Sequence, residues 1–327
     1  MNYIGSKKSL LDFIENTIIK YVPINSNMTF CDLFAGTGIV GRHFKDKMSV
    51  ISNDVEYYSY ILNSHYIGNN KYIECTNIFQ HLNSLPLKED GFIYQNYCLG
   101  SNSGRNYFSD YNGMKIDTIR QEIEVLFNKC DISKEEYFFL LASLIESSDK
   151  VANTASVYGA FLKSLKKTAK EDLILNPCEC ILSSYETVVY NNNANDIVYS
   201  IEGDILYLDP PYNTRQYSAN YHLLNTIAKY DTFIPKGITG LRPYYKSNYS
   251  SKQSAKKSLE DLIKNVRFPY IFISYNNEGI ISLDEMSQIG KKYGKYYYEI
   301  MDHKRFKSNN VDATQSTKEY IHIIIKD

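Results

Sequence analysis

Two consecutive apolar runs, each followed by a turn and then a helical pattern, constrain the fold more than any other feature of this sequence. Residues 29–33 are mostly apolar and end in Phe34-Ala35-Gly36-Thr37-Gly38, after which a helical period resumes. Residues 50–52 lead into Asn53-Asp54, and a second helical face follows. Strands joined by helices in this way need right-handed crossovers, so the pattern predicts an α/β fold with a doubly wound, mostly parallel sheet.

The middle of the chain interrupts this alternation. Between residues 71 and 184 the sequence offers polar turns and helical patterns instead of strands. The clearest helices are predicted at 116–127 and 134–151, and Ser133 with Glu136 forms a capping-box pattern at the start of the second. The segment is therefore interpreted as a mostly helical insertion.

Strand patterns return after the insertion and complete the sheet. They lie at residues 187–190, 204–208, 268–274, 296–300 and 320–325. Together with a helix predicted at 10–21, they place residues 1–70 and 185–327 in one α/β domain. Residues 71–184 then form a second domain that is inserted into it.

Charge and cysteine content exclude several classes of protein. The 327 residues carry 36 basic and 37 acidic side chains, so any surface for nucleic acid must be local. The 6 cysteines have no C-x-x-C pair and no histidine at metal-ligand spacing, so we expect no metal site and the free thiols of a reducing cytoplasm. The first residues lack an apolar signal core, and no run approaches about 18 apolar residues, so neither export nor membrane insertion is expected.

One stretch combines turn-forming residues with positive charge. Residues 236–257 contain glycine, proline, tyrosine and serine together with Arg242, Lys246 and further basic residues, and they include no acidic residue. This composition predicts a long mobile loop with a positive field. An ordinary solvated loop has the same composition, and the sequence does not choose between the two.

The glycine turn carries the first chemical signal. Gly36 and Gly38 let the backbone approach a bound ligand at the carboxyl end of the first strand. The turn lacks the third glycine of a dinucleotide fingerprint, which disfavours a nicotinamide cofactor. Asp54 ends the second strand, where a carboxylate accepts hydrogen bonds from both hydroxyls of a ribose. The alternative role for Asp54 is that of a helix N-cap.

The most specific signal is Asp209-Pro210-Pro211-Tyr212, which directly follows the apolar run 204–208. The prolines fix the backbone and remove two donors, which leaves the Pro210 carbonyl to face a ligand. An amine with two hydrogens then meets two acceptors, the Asp209 carboxylate and the Pro210 carbonyl. The Tyr212 ring offers a flat face on which a base stacks. A proline turn that only ends a strand is the structural alternative.

Together these motifs resemble those of the DNA methyltransferases that act on amino groups. The order of Tyr3-Ile4-Gly5-Ser6-Lys7, the glycine turn and Asp209 to Tyr212 is similar to that of the α-ordered adenine-N6 enzymes, the D12 class that includes the Dam-type proteins. The resemblance implies a class I S-adenosylmethionine-dependent methyltransferase fold with an antiparallel C-terminal strand. It also implies target recognition by residues 71–184 and methylation of a flipped-out adenine in duplex DNA, within a restriction-modification system.

The same resemblance assigns roles around the cofactor S-adenosylmethionine, without a metal. Lys7 is expected to neutralise the methionine carboxylate, Asp32 to hold the α-amino group and Asp54 to bind the ribose. The contact to the cofactor's adenine falls within residues 191–196, and Asn193 is named for it. The residues expected around the cofactor are Tyr3, Lys7, Asp32, Phe34, Gly36, Thr37, Gly38, Asp54, Asn193 and Asp209.

Contacts to DNA are less clearly marked. Arg105 and Asn106, in a polar turn, and Arg120 are expected to reach base edges. A basic helical patch is expected to bind phosphates, and a solvated helix face is its alternative; its members are Lys163, Lys166, Lys167 and Lys170. The other residues expected along the DNA are Arg215, Gln216, Tyr217, Asn220, Tyr221, Arg242 and Lys246.

The expected partners are double-stranded DNA and, functionally, a cognate restriction endonuclease, and the chain is expected to be a monomer or a weak dimer. Two alternative functions stay open at this point. Some ribosomal-RNA adenine methyltransferases also carry Asp-Pro-Pro-Tyr, although the motif order and the long insertion favour DNA. The second alternative is a catalytically silent nucleic-acid-binding subunit, against which both intact motifs argue.

Overall fold

The structure is a computed structural model that describes residues 6–304 and 316–326. Its helices and strands are, in chain order, α1 (Leu11–Tyr21), β1 (Thr29–Asp32), α2 (Ile39–Phe44), β2 (Ser49–Asn53), α3 (Tyr57–Tyr66), α4 (Thr76–Ser84), α5 (Phe92–Tyr97), α6 (Asp110–Asn128), α7 (Lys134–Val151), β3 (Thr187–Tyr190), α8 (Ala194–Ile197), β4 (Ile205–Leu208), α9 (Tyr217–Asn220), α10 (His222–Lys229), α11 (Ala255–Asn265), β5 (Tyr270–Asn276), α12 (Leu283–Tyr293), β6 (Lys295–Lys304) and β7 (Ser316–Ile325). Short 3₁₀ turns lie at Lys7–Leu10, Leu99–Ser101, Lys167–Lys170 and Asn248–Ser250.

In the described part of the chain, seven strands form one sheet in the order β3-β2-β1-β4-β5-β7-β6. The pairings among β1 to β5 are parallel, and β7 runs antiparallel to both of its neighbours. All four residues of β4 are buried, as expected of a parallel strand that is covered on both faces. The predicted doubly wound sheet with an antiparallel C-terminal strand is confirmed.

The register between β1 and β4 fixes where their loops begin. Asp32, the last residue of β1, lies opposite Tyr207 of β4. The backbone N–H of Leu33 then donates to the Tyr207 carbonyl, with 3.2 Å between nitrogen and oxygen. Because the two strands are parallel neighbours, the turn after β1 and the loop after β4 leave the same edge of the sheet.

The chain divides into two compact units. The sheet unit comprises Lys7–Val55, Ser183–Gln216 and the described residues from Lys246 onward, and the helical unit comprises Glu56–Leu182 and Tyr217–Tyr245. Residues 56–70 and 217–245 thus group with the predicted insertion and not with the α/β domain. Compactness does not reveal which residues recognise DNA, so the assignment of target recognition to residues 71–184 stays a prediction.

The two long helices of the helical unit match their predictions to different degrees. Helix α7 begins after Ser133, whose hydroxyl accepts the Glu136 N–H at 3.2 Å, and the predicted capping box is present. Helix α6 begins at Asp110 and not at 116, because Ser109 caps it and Gly113 lies within it. A Cβ on Gly113 would lie 2.2 Å from the Cys98 sulfur, so tight packing, and not a turn, requires this glycine.

Two predicted surface elements have a different structure. The expected basic helix is absent from the described residues: only Lys167–Lys170 is helical there, as a 3₁₀ turn, and Lys163 lies outside any helix. Residues 236–257 are not one long loop, because a turn, a 3₁₀ turn at Asn248–Ser250 and the start of α11 at Ala255 divide them.

Among the described residues, no helix has the length and apolar character that crossing a membrane requires.

The cap of α7 generates a stability prediction. Replacing Ser133 by alanine leaves the Glu136 N–H without its side-chain acceptor. We expect the free energy of unfolding, measured by urea titration with circular dichroism, to fall by about 1 kcal/mol. Ser164→Ala, at an exposed position outside any helix, is the matched control and should leave stability unchanged. Equal stability of the two variants would contradict a contribution from the cap.

Candidate active site

The carboxyl ends of three neighbouring strands are tied together by one buried side chain. Asn53, at the end of β2, is 1% exposed. Its amide nitrogen donates to the carbonyls of Leu33 and Asn192, each at 3.1 Å, and its own carbonyl accepts the Ala35 N–H at 3.0 Å. Sequence reasoning did not single out Asn53, although an amide that directly follows an apolar strand is a usable signal.

The glycine turn has the backbone that its sequence predicts. Gly36 and Gly38 adopt φ of 54° and 75°, a region that favours glycine. The Gly36 N–H donates to the Asp54 carboxylate at 2.7 Å. Thr37 between the glycines is half-buried. Asp54 is therefore bound to the turn, and the alternative of a helix N-cap is wrong, since Glu56 occupies the N-cap of α3.

Asp32 is a buried carboxyl group beneath this turn. It is 1% exposed, and its carboxylate accepts the Gly41 N–H at 3.1 Å. Burial, together with the charges of Asp209 and Asp54, raises its pKa to about 8 against the opposing effect of the Gly41 bond. A cationic ligand would reverse this shift, because it favours the ionised carboxylate. Asp32 is thus placed to accept a hydrogen bond from a positively charged group.

Asp209 shares one buried ammonium group with a second acid. The Lys7 nitrogen lies 3.2 Å from an Asp209 carboxylate oxygen and 3.8 Å from a Glu319 carboxylate oxygen. Burial raises the pKa of Asp209 to about 6; Lys7 lowers it and Glu319 raises it. Burial lowers the pKa of Lys7, but the two acids outweigh burial and that pKa is raised. Lys7 therefore stays charged and stabilises an Asp209 that titrates close to neutrality.

Glu319 was missed by sequence reasoning. It is 9% exposed, and its Oε2 atom has no hydrogen-bond partner among the residues that the structure describes. It lies near the start of β7 and pairs with Asn276 at the end of β5. Because β7 is antiparallel, its beginning meets the ends of the parallel strands. The only signal in the sequence is an acid directly before the predicted strand 320–325.

The loop after β4 presents the predicted acceptors and ring. Pro210 is buried and Pro211 half-buried, and the Pro210 carbonyl accepts no hydrogen bond from residues 6–304 or 316–326. The Tyr212 ring packs edge-on against Tyr275 with 6.3 Å between centroids, and the Tyr212 carbonyl accepts the Ile280 N–H at 2.8 Å. Tyr212 as a whole is half-buried, so part of its surface is accessible.

Phe34, one of the residues expected around the cofactor, belongs to an aromatic pair. Phe34 is half-buried and meets the Tyr249 ring edge-on, with 5.0 Å between centroids. The Tyr249 hydroxyl donates to the Asn195 side-chain oxygen at 2.7 Å. Asn193, the residue named for the cofactor's adenine, uses its side-chain oxygen to accept the Asn195 N–H as the N-cap of α8. The structure thus gives Asn193 a local structural role. Tyr3 lies outside the described residues.

Four residues expected at the DNA, including Tyr221 with 0% exposure, are buried, which corrects those expectations. The Arg120 guanidinium donates to the carbonyls of Ile227 and Ala228. These carbonyls are distant in the sequence and come close to Arg120 only in the folded chain. Arg242 is 7% exposed and pairs with Asp231 at 2.8 Å. The Asn106 amide donates to two backbone carbonyls, those of Leu162 and Lys163. These side chains stabilise the helical unit and are not available at its surface.

The other residues expected at the DNA keep some exposure. Lys163, Lys167, Arg215 and Lys246 are exposed. Tyr217 is half-buried and stacks on the buried Tyr221, with 6.4 Å between centroids. Arg105 is half-buried, and its guanidinium binds backbone carbonyls instead of pointing into solvent.

Known proteins with related sequences identify the family. Residues 3–289 match the family model of the D12 class N6 adenine-specific DNA methyltransferases. The chain is 52% identical to the Type II methyltransferase M.NlaIII of Neisseria lactamica, over 100% of this chain and 99% of that protein. It is 37% identical to M.CviAII of Paramecium bursaria Chlorella virus 1, over 99% and 98%. It is 38% identical to M.FokI of Planomicrobium okeanokoites, of which it spans only 53%.

The match to the family model extends from the amino-terminal lysine motif to α12, and so includes the glycine turn and the Asp209 loop. The M.NlaIII alignment extends over the whole chain. The chain therefore belongs to the D12 class N6 adenine-specific DNA methyltransferases.

Proposed function

We propose that this chain transfers a methyl group from S-adenosylmethionine to the N6 amine of an adenine flipped out of duplex DNA, and that residues Asp209 to Tyr212 hold this adenine. One observation carries the proposal: the Asp209 loop and the glycine turn leave neighbouring ends of β4 and β1. Membership of the family supports DNA as the substrate and does not favour the alternatives of an RNA enzyme or a silent subunit.

The charges of the site suit S-adenosylmethionine, which carries an ammonium, a sulfonium and a carboxylate group. When bound, this cofactor supplies a methyl group that is activated by the positive sulfur. Acidic groups outnumber Lys7 here. Burial raises the pKa of Asp32, repulsion by Asp209 and Asp54 adds to this effect, and a cationic ligand would offset both. The acids are Asp32, Asp54, Asp209 and Glu319.

Two acceptors at the Asp209 loop are arranged to activate an amine. The adenine amine is a weak nucleophile because its lone pair is delocalised into the ring. An ionised Asp209 accepts one amine hydrogen and the Pro210 carbonyl accepts the other, which draws the nitrogen towards tetrahedral geometry. The Tyr212 ring stacks on the extruded base. The proton released after methylation goes to Asp209 or to water.

Lys7 has donors for more than one partner. An ammonium carries three hydrogens, and in this structure Asp209 and Glu319 lie 3.2 Å and 3.8 Å from its nitrogen. Of these two, only the Asp209 oxygen lies within hydrogen-bonding distance, so a donor is left for the carboxylate of the cofactor, as expected from the resemblance. We therefore assign Lys7 two functions, to bind the cofactor and to keep Asp209 ionised.

The relatives support a place in restriction and modification. M.NlaIII and M.CviAII are both named Type II methyltransferases, which supports site-specific methylation that protects host DNA from a cognate endonuclease. Long-read sequencing of DNA from cells that express the chain will map N6-methyladenine. The map gives the recognition sequence and shows whether one or both strands are methylated.

The proposed reaction is tested with labelled S-adenosylmethionine, duplex DNA and ribosomal RNA. We expect label in DNA, at the N6 position of adenine, and none in RNA. Label in RNA alone would contradict the proposal, as would a protein that binds DNA and cofactor without transferring label.

The role of Asp209 generates a second prediction. Asp209→Asn keeps the shape of the side chain but offers the amine a weaker, uncharged acceptor. We expect kcat to fall at least about 100-fold, as for the loss of a charge-stabilising group, while the Kd of S-adenosylmethionine changes by less than about 10-fold. Asp204→Asn is the matched control, because Asp204 precedes β4 at the opposite edge and accepts the Thr29 N–H at 2.7 Å. Loss of cofactor binding with preserved turnover would reverse the assignment.

The shared ammonium generates a prediction about pH. Activity should rise as Asp209 ionises, around its pKa of about 6. The negative charge of Glu319 raises that pKa, so Glu319→Gln should shift the acid limb of the kcat/KM profile to lower pH. Lys7 lowers the same pKa, so Lys7→Gln should shift the limb to higher pH.

Glu299→Gln serves as the control for this experiment, because Glu299 lies on β6 and pairs with Lys20 at 2.6 Å. Its profile should coincide with that of the unmodified protein. Shifts of both site variants in the same direction would exclude Asp209 as the group that is titrated.

A further inference from the structure

A tight turn in the helical unit displays an apolar side chain. Lys236 and Leu241 close the turn with a reciprocal pair of backbone bonds, at 2.9 Å and 2.8 Å. Within it, the Gly240 N–H donates to the Gly237 carbonyl at 3.3 Å. Ile238 lies between these glycines, and its side chain is 84% exposed.

Arg105 holds this turn from one side. Its Nε donates to the Ile238 carbonyl at 3.2 Å, and its Nη2 donates to the Gly237 carbonyl at 3.0 Å. Its Nη1 donates to the Asn96 carbonyl at 3.1 Å, which anchors the guanidinium to α5. All three guanidinium nitrogens thus bind backbone carbonyls, and two of them bind the turn itself.

Tyr97 and Gly240 also hold the turn in place. The Tyr97 hydroxyl donates to the Gly240 carbonyl at 2.7 Å, and the Arg105 guanidinium lies 6.0 Å from the Tyr97 ring centroid. A Cβ on Gly240 would lie 2.7 Å from Arg105 Nε and 2.8 Å from a Tyr97 ring carbon. Gly240 also has φ of 69°, so any side chain there strains the backbone as well. The turn is therefore held in one position.

The exposure of Ile238 stands out against this rigid support. Ile238 and Ile234, each 84% exposed, are the most exposed large hydrophobic side chains in the described ranges. Burying an isoleucine side chain stabilises a protein, and this stabilisation is forgone here. A single exposed apolar residue is common on a loop. A rigid turn that holds the Ile238 side chain in solvent indicates that this side chain contacts another molecule.

The charges around the turn indicate which kind of molecule Ile238 contacts. Residues 232–245 of this unit contain no acidic residue, the exposed Lys236 begins the turn, and the Arg105 guanidinium binds it. The nearest acid along the chain on one side, Asp231, is paired with Arg242. A positive field around an apolar tip suits a polyanion that has a hydrophobic interior. Duplex DNA has this character, with phosphates outside and stacked bases inside.

We propose that Ile238 is a wedge that enters the base stack of duplex DNA and helps the target adenine to leave it. The proposal rests on the proposed DNA methylation and adds a residue that opens the duplex. Apolar side chains that enter a base step unstack it, and the cost of unstacking is offset by the contacts that follow. Arg105 then acts on DNA indirectly, by holding the turn.

The test uses a duplex that contains the mapped recognition site, with 2-aminopurine in place of the target adenine. Ile238→Ala should reduce the fluorescence increase that accompanies base flipping, and should weaken binding about 10-fold at fixed salt. The salt dependence of binding should not change, because phosphate contacts are kept. Ile174→Ala is the matched control, since Ile174 is 62% exposed in the same unit.

Rescue separates a wedge from a merely structural residue. A mismatch opposite the target weakens stacking and pairing in advance, so the defect of Ile238→Ala should largely disappear on mismatched DNA. Gly240→Ala keeps Ile238 but displaces the turn that carries it. This variant should show the same defect and the same rescue. Rescue also demonstrates that both variants are folded.

The outcomes distinguish the two proposals. If the unmodified protein and Ile174→Ala methylate DNA and Ile238→Ala equals them on matched duplex, the wedge is refuted and the methyltransferase assignment stands. A defect of Ile238→Ala that persists undiminished on mismatched DNA also refutes the wedge. If the unmodified protein does not methylate DNA at all, the proposed function fails first.

Discussion

The parallel pairing of β1 with β4 is the constraint on which the candidate site depends. It sets Asp32 opposite Tyr207, so that the glycine turn and the Asp209 loop begin side by side. A shift of one residue would turn every side chain of a strand to the other face of the sheet. The complete burial of β4 resists such a shift. Asn53, at the end of β2, reinforces the arrangement by binding carbonyls that lie just beyond β1 and β3.

A shared cation dominates the electrostatics of this edge. Lys7 is buried between Asp209 and Glu319, and the three groups leave one negative charge uncompensated when all are ionised. Burial alone favours a neutral Asp209, whereas Lys7 favours the carboxylate. The resulting pKa of about 6 lies close to the range in which an acceptor has to be ionised and still able to take a proton. The site is therefore sensitive to small changes of charge around Lys7.

Much of the sheet and of this site is readable in the sequence, because apolar runs reveal strands and the residues after them share one edge. The glycine turn and Asp209 to Tyr212 are of this kind. Glu319 is not, since it precedes its strand and reaches the edge only through the antiparallel direction of β7. Residues 217–245 pack with the helical unit, although the sequence analysis placed them in the α/β domain on their position along the chain. Arg120 and Arg242 read as surface residues, because their burial depends on carbonyls and an aspartate brought close by folding.

The position of β7 between β5 and β6 has a consequence for how the protein is made. Among residues 6–304 and 316–326, β6 pairs with β7 alone, so β6 has no partner strand there while the nascent chain still lacks β7. Glu319 arrives on the same late strand. The part of the chain that is synthesised before β7 can therefore form this sheet only as far as β5, and it contains Lys7 and Asp209 but not Glu319. The same strand thus completes both the sheet and the charge cluster around Lys7.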